Sequence, residues 1–256
     1  MPVRNGEESP RPCGDKGAAA GGTSTGGQRK KRRKEAAQLK TYQIHLIRHG
    51  LTEGNREGRY IGSTDLPLSP EGAAGLLALR ERYEYPRAEV FFSSPLLRCL
   101  QSINILYPDA KPVVIKELAE CDFGEFERKS AAELEDREDF RRWISGSGNS
   151  APPGGENSRD FILRTCGAFE QIVEALMKSG TAEAVICAHG GTLMSVLSAY
   201  GLPKHSFSEW FAHPGCGYTV RITPGLWMRS RVMEVSAIVP AGFEEPEEPD
   251  SPGAQR

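Results

Sequence analysis

Tyr42-Gln43-Ile44-His45-Leu46-Ile47-Arg48-His49-Gly50 is the stretch that decides the fold, because an apolar run ends there on an arginine, a histidine and a glycine. A second run, Ala184-Val185-Ile186-Cys187-Ala188, ends on His189-Gly190-Gly191. Runs of this length and make-up read as buried strands of a mainly parallel sheet. Ligands of open α/β sheets sit beyond the carboxyl ends of the strands. Two imidazoles at two such ends are therefore expected to face one pocket, and the glycine after each lets backbone or ligand approach closely.

Outward from these two runs, strand and helix signals alternate. Ser69-Pro70-Glu71 predicts a helix start, with Ala73, Leu76, Leu77 and Tyr83 following at helical spacing. Val90–Ser93 reads as a second strand, followed by a helix capped by Ser94 and running from Pro95 to about Tyr107. Residues 112–116 read as a short third strand. Asn157 or Ser158 caps a helix that carries Phe161, Thr165, Ala168, Ile172 and Leu176 on one face. Residues 192–200 are expected to be helical and to stop at Gly201. Residues 218–222 and 231–235 read as two closing strands around a Pro224-Gly225 turn. The sum is an α/β domain over 41–240, a three-layer α/β/α sandwich with a mainly parallel central sheet.

Residues 1–40 are rich in glycine, alanine, serine and charge, and are expected to be a disordered tail. They hold the basic run Arg29-Lys30-Lys31-Arg32-Arg33-Lys34, read as a solvated linker end rather than a nuclear signal or polyanion-binding arm. Residues 241–256 read as an acidic, proline-rich tail. A formal net charge of −2 gives no overall pull towards nucleic acid or an anionic membrane. The six cysteines, at 13, 99, 121, 166, 187 and 216, form no Cys-x-x-Cys pair, which fits a reducing compartment and a cytoplasmic location. No run approaches membrane-spanning length. Oligomeric state is not legible.

The strand ends carry the chemistry. Arg48 offers a planar fork of donors suited to phosphate oxygens. A neutral His49 imidazole beside it can attack phosphorus to form a phosphohistidine, and nearby guanidinium charge disfavours imidazolium. Arg98 is expected one turn into its helix, leaning back towards the loop above the second strand. A transferred phosphoryl group spreads charge over three equatorial oxygens, which Arg48, Arg98 and His189 can neutralise. The leaving alkoxide needs a proton from a carboxylic acid. Glu117, Glu120, Asp122 and Glu125 all lie after the third strand, and spacing does not choose among them. No cysteine is followed six residues on by arginine, no Gly-x-x-x-x-Gly-Lys loop occurs, and no His/Asp cluster has metal-ligand spacing.

Four motifs occur in order: Ile47-Arg48-His49-Gly50 with Thr52 and Asn55; Ser93-Ser94-Pro95-Leu96-x-Arg98; Leu118-x-Glu120-x-x-Phe123-Gly124; and Ala188-His189-Gly190-Gly191. Together they resemble the phosphoglycerate-mutase-like branch of the histidine phosphatase superfamily, over about 43–218. The resemblance implies a phosphomonoesterase with a phosphohistidine on His49. Arg48, Arg98 and His189 would clamp the phosphate, and Glu120 would be the general acid. It further implies Asn55 at the bound phosphoryl group, Ile61 and Gly62 at the substrate entrance, Gly190 as a further substrate-binding residue, a small phosphorylated metabolite as the partner, and no metal or organic cofactor.

Residues 58–69 resemble the corresponding segment of the α-ribazole phosphatases of cobalamin assembly, so 5′-phosphorylated α-ribazole is the first expected substrate. The alternatives are a mutase-type phosphoryl transferase and a catalytically silent phosphate-binding or interaction module. The long insertion typical of the mutases is missing, which favours water as acceptor. Two stretches depart from the pattern: the usual Trp-Glu-Gly reads Phe126-Glu127-Arg128, and the usual Pro-x-Gly-Glu-Ser helix start ends in Asn157. His45 is expected to be a structural residue on the His49 face, and His205 and His213 surface residues. Trp143, Trp210 and Trp227 are expected to be packing residues.

Overall fold

The first run folds as β1 (Tyr42–Arg48) in the computed structural model, which describes residues 40–145 and 151–244. The basic run at 29–34, the expected N-terminal tail up to 39 and residues 245–256 of the expected C-terminal tail lie outside the described residues. The further strands are β2 (Val90–Ser93), β3 (Val113–Val114), β4 (Glu183–Ala188), β5 (Gly201–Leu202), β6 (Gly217–Ile222) and β7 (Met233–Val239). They form one sheet in the order β3-β2-β4-β1-β6-β7-β5. β6 is antiparallel to both its neighbours and every other pairing is parallel. In the β1–β4 register Arg48 lies opposite Ala188, which brings His49 and His189 out side by side at the carboxyl edge.

Helices cover both faces. They are α1 (Glu53–Arg56), α2 (Pro70–Arg82), α3 (Leu97–Leu106), α4 (Ala131–Leu134), α5 (Glu138–Ile144), α6 (Ser158–Ser179), α7 (Gly190–Tyr200) and α8 (Pro224–Ser230). Side chains alternate along a strand, and the core divides accordingly. Ile44, Leu46, Ala184 and Ile186 pack with Phe169, Ile172 and Leu176 of α6, Leu193 and Leu197 of α7, and Trp227 of α8. On the other face Ile47 and Val185 meet Leu76 of α2 and Leu106 of α3, while Cys187 packs on Cys99 and Ile103 of α3. The three-layer sandwich is thus the observed architecture. Burying one such Leu, Ile or Phe side chain contributes about 2 kcal/mol.

α6 follows the expected face: Phe161, Thr165, Ala168, Ile172 and Leu176 are all buried. The Asn157 side chain caps it by accepting from Arg159 N at 2.8 Å, and Gly180 ends it in the left-handed region.

Several local readings change. The helix read from Pro95 starts at Leu97, and its first free N–H is met from a distance, by Asp65 Oδ1 at 2.7 Å. Pro224 and Gly225 open α8 instead of forming a turn, because Trp227 is pulled into the core against Phe169 and Tyr200. The last strand lies later than read, at Met233–Val239, and the third is confined to Val113–Val114. The loop after β1 holds α1, closed by a reciprocal Thr52/Asn55 capping box. Beyond β7, Ala241 bridges Glu84, and the Phe243 ring meets those of Tyr83 and His213.

Candidate active site

His49 follows β1 directly and is 4 % exposed. Its Nδ1 lies 2.6 Å from Gly50 O. A carbonyl only accepts, so Nδ1 carries the proton and Nε2 keeps its lone pair. Burial first, then the charges of Arg98 and Arg48, hold the imidazole well below the ordinary histidine range. Both effects keep Nε2 unprotonated. The Gly50 N–H is fixed by Ser102 Oγ at 2.9 Å, and that hydroxyl donates to Arg98 O at 2.6 Å.

Arg98, in the first turn of α3, is almost fully buried. Its Nε lies 3.2 Å from His49 Nε2 and 3.2 Å from His189 Nδ1, donating to both. Nη1 donates to Thr64 O at 2.9 Å and Nη2 to Gly62 O at 2.8 Å. A guanidinium has five N–H bonds, so one remains on each terminal nitrogen for a ligand oxygen.

His189 accepts from Arg98 at Nδ1, which leaves its proton on Nε2, 2.7 Å from Ser94 Oγ. Ser94 therefore serves His189 rather than capping the α3 helix, a correction with a clear cause: a fully buried imidazole N–H needs an acceptor. The two imidazoles meet edge to face with centroids 5.1 Å apart.

Arg48 donates from Nη1 to Ala212 O at 2.8 Å and lies 5.2 Å from the Phe211 ring centroid. Its Nε is buried and has no hydrogen-bond partner. An orphaned cationic donor is costly, and a bound oxyanion would satisfy it. Gly190 opens α7 directly above this guanidinium: a Cβ there would sit 3.6 Å from Arg48 Cζ.

Of the four acids open at the outset, Glu120 alone is buried and feels both arginines. Oε1 accepts from Cys121 N and Oε2 from Gly191 N, each at 3.0 Å. Burial raises its carboxyl above the usual carboxylate range, opposed by those two N–H groups and by Arg98 and Arg48. A side chain at Gly191 would intrude, its Cβ 2.5 Å from Glu120 Oε1. Glu125 is instead drawn off by Arg137, Asp122 accepts from Gly124 N, and Glu117 is exposed.

Asn55 is half-buried on α1, its Oδ1 committed to Thr52 and its amide nitrogen left as the donor. Ile61 is buried against Gly54, away from solvent. Gly62 is buried too and acts through its carbonyl on Arg98; a Cβ there would lie 1.8 Å from Cys121 O.

Three contributors had no role assigned from sequence. Arg164 of α6 grips the Glu120 loop with every donor it has, bonding the carbonyls of Glu117, Ala119 and Glu120 and both Glu156 oxygens. Ser102 and Glu127 are the others: each has one partner four residues away, Arg98 O and Phe123 N, but the bonds that reach the 50–64 segment leave no local signal. Glu120 borders a cavity of about 510 Å³, walled also by Ser63, Lys116, Glu117, Asp122 and Arg164.

His45 bonds Thr219 Oγ1 at 2.9 Å inside the core, and burial lowers its pKa to about 4. Trp210 and Trp227 are buried packing residues, and Trp143 joins a ring cluster with Tyr60, Phe123, Phe126 and Phe140. His205 is exposed and lies against Glu209, whereas His213 is half-buried among Phe211 and Phe243. Among the described residues no helix is long and apolar enough to cross a membrane.

Sequence comparison finds relatives with several names. The chain is 27% identical over 190 residues to the adenosylcobalamin/α-ribazole phosphatase of Salmonella typhimurium, covering 72% of this chain and 92% of that protein. It is 29% identical over 160 residues to a 2,3-bisphosphoglycerate-dependent phosphoglycerate mutase of Gloeobacter violaceus, covering 59% and 72%. Among solved structures, the α-ribazole phosphatase of Shigella flexneri superposes with a TM-score of 0.63 at 22% identity, over 77% of this chain and 95% of that one. A phosphoglycerate mutase of Thermus thermophilus gives 0.56 at 31%, over 77% and 97%. The family profile described as histidine phosphatase superfamily (branch 1) matches residues 44–233, and the chain belongs to that superfamily.

Proposed function

We propose that the chain is a metal-independent phosphomonoesterase that works through a phosphohistidine on His49. The observation that carries this reading is the His49 tautomer: its proton is held on Nδ1 by Gly50 O, and its unprotonated Nε2 accepts from Arg98 Nε. Nε2 attacks phosphorus in line, the P–O bond to the alcohol breaks, and the leaving oxygen takes its proton from Glu120. Arg48, Arg98 and His189 hold the three equatorial oxygens, supplying the charge that a metal ion supplies elsewhere. Asn55 adds its amide N–H, and Gly190 its bare backbone over Arg48. Water then attacks the phosphohistidine, passing its proton to the Glu120 carboxylate as the N–P bond breaks. Inorganic phosphate leaves and both side chains return to their starting states.

The substrate is a small phosphorylated metabolite, with α-ribazole 5′-phosphate the first candidate. Support comes from residues 58–69 and from the match over 92% of the Salmonella phosphatase. The cavity beside Glu120 has room for a nucleoside. Transfer to a second phosphorylated acid, as in a mutase, is served poorly, because Arg164 spends all its donors on the protein itself. Five described cysteines are free thiols, which supports action in the cytosol.

Turnover of p-nitrophenyl phosphate by His49→Ala tests the reading. Loss of nearly all activity in a folded variant is expected, and full turnover overturns it.

A further inference from the structure

We propose that Glu127 is a positioning residue for this reaction, tying the loop that holds Arg98 to the loop that carries Glu120; the inference rests on the phosphatase reading above. Glu127 stands seven residues after Glu120, at the end of a 3₁₀ turn over Gly124–Phe126. Its Oε1 accepts from Gly62 N at 3.1 Å, Ser63 N at 2.9 Å and Phe123 N at 3.1 Å. Its Oε2 accepts from Gly62 N at 3.1 Å and from Thr64 Oγ1 at 2.6 Å. A single carboxylate thus gathers four donors from two segments some sixty residues apart in the chain.

What those donors belong to gives the contact its meaning. The carbonyls of Gly62 and Thr64 are the two that hold the terminal nitrogens of Arg98. With the N–H groups of residues 62 and 63 and the Thr64 hydroxyl bound to Glu127, those carbonyls are fixed in place. Arg98 Nε is then held between His49 Nε2 and His189 Nδ1. On the other side, Gly62 is in close contact with Cys121 O, and Cys121 N bonds Glu120 Oε1. Glu127 therefore sets the spacing between the phosphoryl clamp and the proton donor without touching the substrate. Charge-assisted bonds to backbone N–H groups are well suited to this, being short and directional. Misplacement of a reacting group by about 1 Å costs on the order of 100-fold in rate.

The test uses the full chain, with orthovanadate as a mimic of the five-coordinate phosphoryl group and inorganic phosphate as a ground-state anion. Glu127→Ala is expected to lower kcat by about 10- to 100-fold and to weaken vanadate inhibition by a like factor. Inhibition by inorganic phosphate should move less than about threefold, because only the aligned geometry is lost. Glu127→Gln keeps an acceptor oxygen for the backbone donors and should recover most of kcat. Thr64→Val, which removes one bond, should lose a few-fold and keeps the inference open to refutation should Glu127→Ala fail to fold. Folded Glu127 and Thr64 variants that retain wild-type kcat and vanadate affinity overturn the inference. A wild-type chain that hydrolyses no phosphate ester and binds no vanadate overturns the phosphatase reading instead.

Discussion

Arg98 Nε sits midway between two histidines that lie 140 residues apart in the chain, 3.2 Å from His49 Nε2 and 3.2 Å from His189 Nδ1. One planar cation thereby engages the lone-pair nitrogen of both rings and, after burial, adds to what keeps both neutral. A lysine has the charge but neither the fork nor the Nε–H. Arg98→Lys is expected to lower kcat/KM for p-nitrophenyl phosphate by about 100-fold or more. Near-wild-type kcat/KM in this variant would show that charge alone suffices.

The pH profile follows from two opposite shifts. In the proposed mechanism His49 must be neutral to attack, and its pKa is depressed by burial and by Arg98 and Arg48, so activity is expected to fall on the acid side only well below the ordinary histidine range. In the same mechanism Glu120 must be protonated to donate, and burial raises its pKa, so activity is expected to fall on the alkaline side above the ordinary carboxylate range. Glu120→Gln should abolish that alkaline limb with an alkyl phosphate. It should leave the p-nitrophenol burst largely intact, because that leaving group needs little proton assistance, while cutting kcat/KM for an alkyl phosphate by about 100- to 1,000-fold. Equal loss on both substrates would remove Glu120 from the acid role.

Arg128 occupies the position where the resemblance places glycine, and its φ is 62°. An exposed L-residue in this region carries a steric cost of about 1 kcal/mol, partly set off by the greater freedom of glycine in the unfolded chain. Arg128→Gly is expected to raise the urea midpoint, with a gain of up to about 1 kcal/mol. A lower midpoint would mean that the arginine side chain contributes more than the strain removes.

Much of this was legible in the sequence, and the limits have physical causes. Both strand ends could be read because a buried strand must be apolar along its length, so the polar His-Gly that follows stands out. The long α6 face was legible for the same reason, through its period. Ser94 was not, because Ser-Pro looks like a helix cap and only the folded chain shows His189 Nε2 reaching its hydroxyl. Pro224-Gly225 looks like a turn until Trp227 is seen to need the core. Arg164 left no trace, and Glu127 showed only as the retained middle of the Trp-Glu-Gly pattern with no role attached, since most of their partners are backbone groups of other segments and backbone groups have no sequence signature. What sequence shows is which groups are present; what it withholds is which of them the fold saturates.

Saturation also bears on substrate choice. Arg164 presents no free N–H to the cavity beside Glu120, whose wall carries Glu117 and Asp122 as well, with Lys116 exposed at the rim. With the leaving alcohol placed in this cavity, as the proposed mechanism has it, an alcohol that bears a carboxylate is expected to be poorly received. Glycerol 3-phosphate and 3-phosphoglycerate differ chiefly in that group, and kcat/KM should favour the former by about tenfold. A preference for 3-phosphoglycerate, or its conversion to 2-phosphoglycerate, would favour the mutase reading.

The most direct test is to trap the covalent intermediate. Rapid mixing with a ³²P-labelled alkyl phosphate, an alkaline quench that preserves N–P bonds, and peptide mapping should place the label on His49 in the wild-type chain. His49→Ala should carry no label. A wild-type chain that releases phosphate steadily without ever labelling His49, or that is labelled at another residue, would contradict the account.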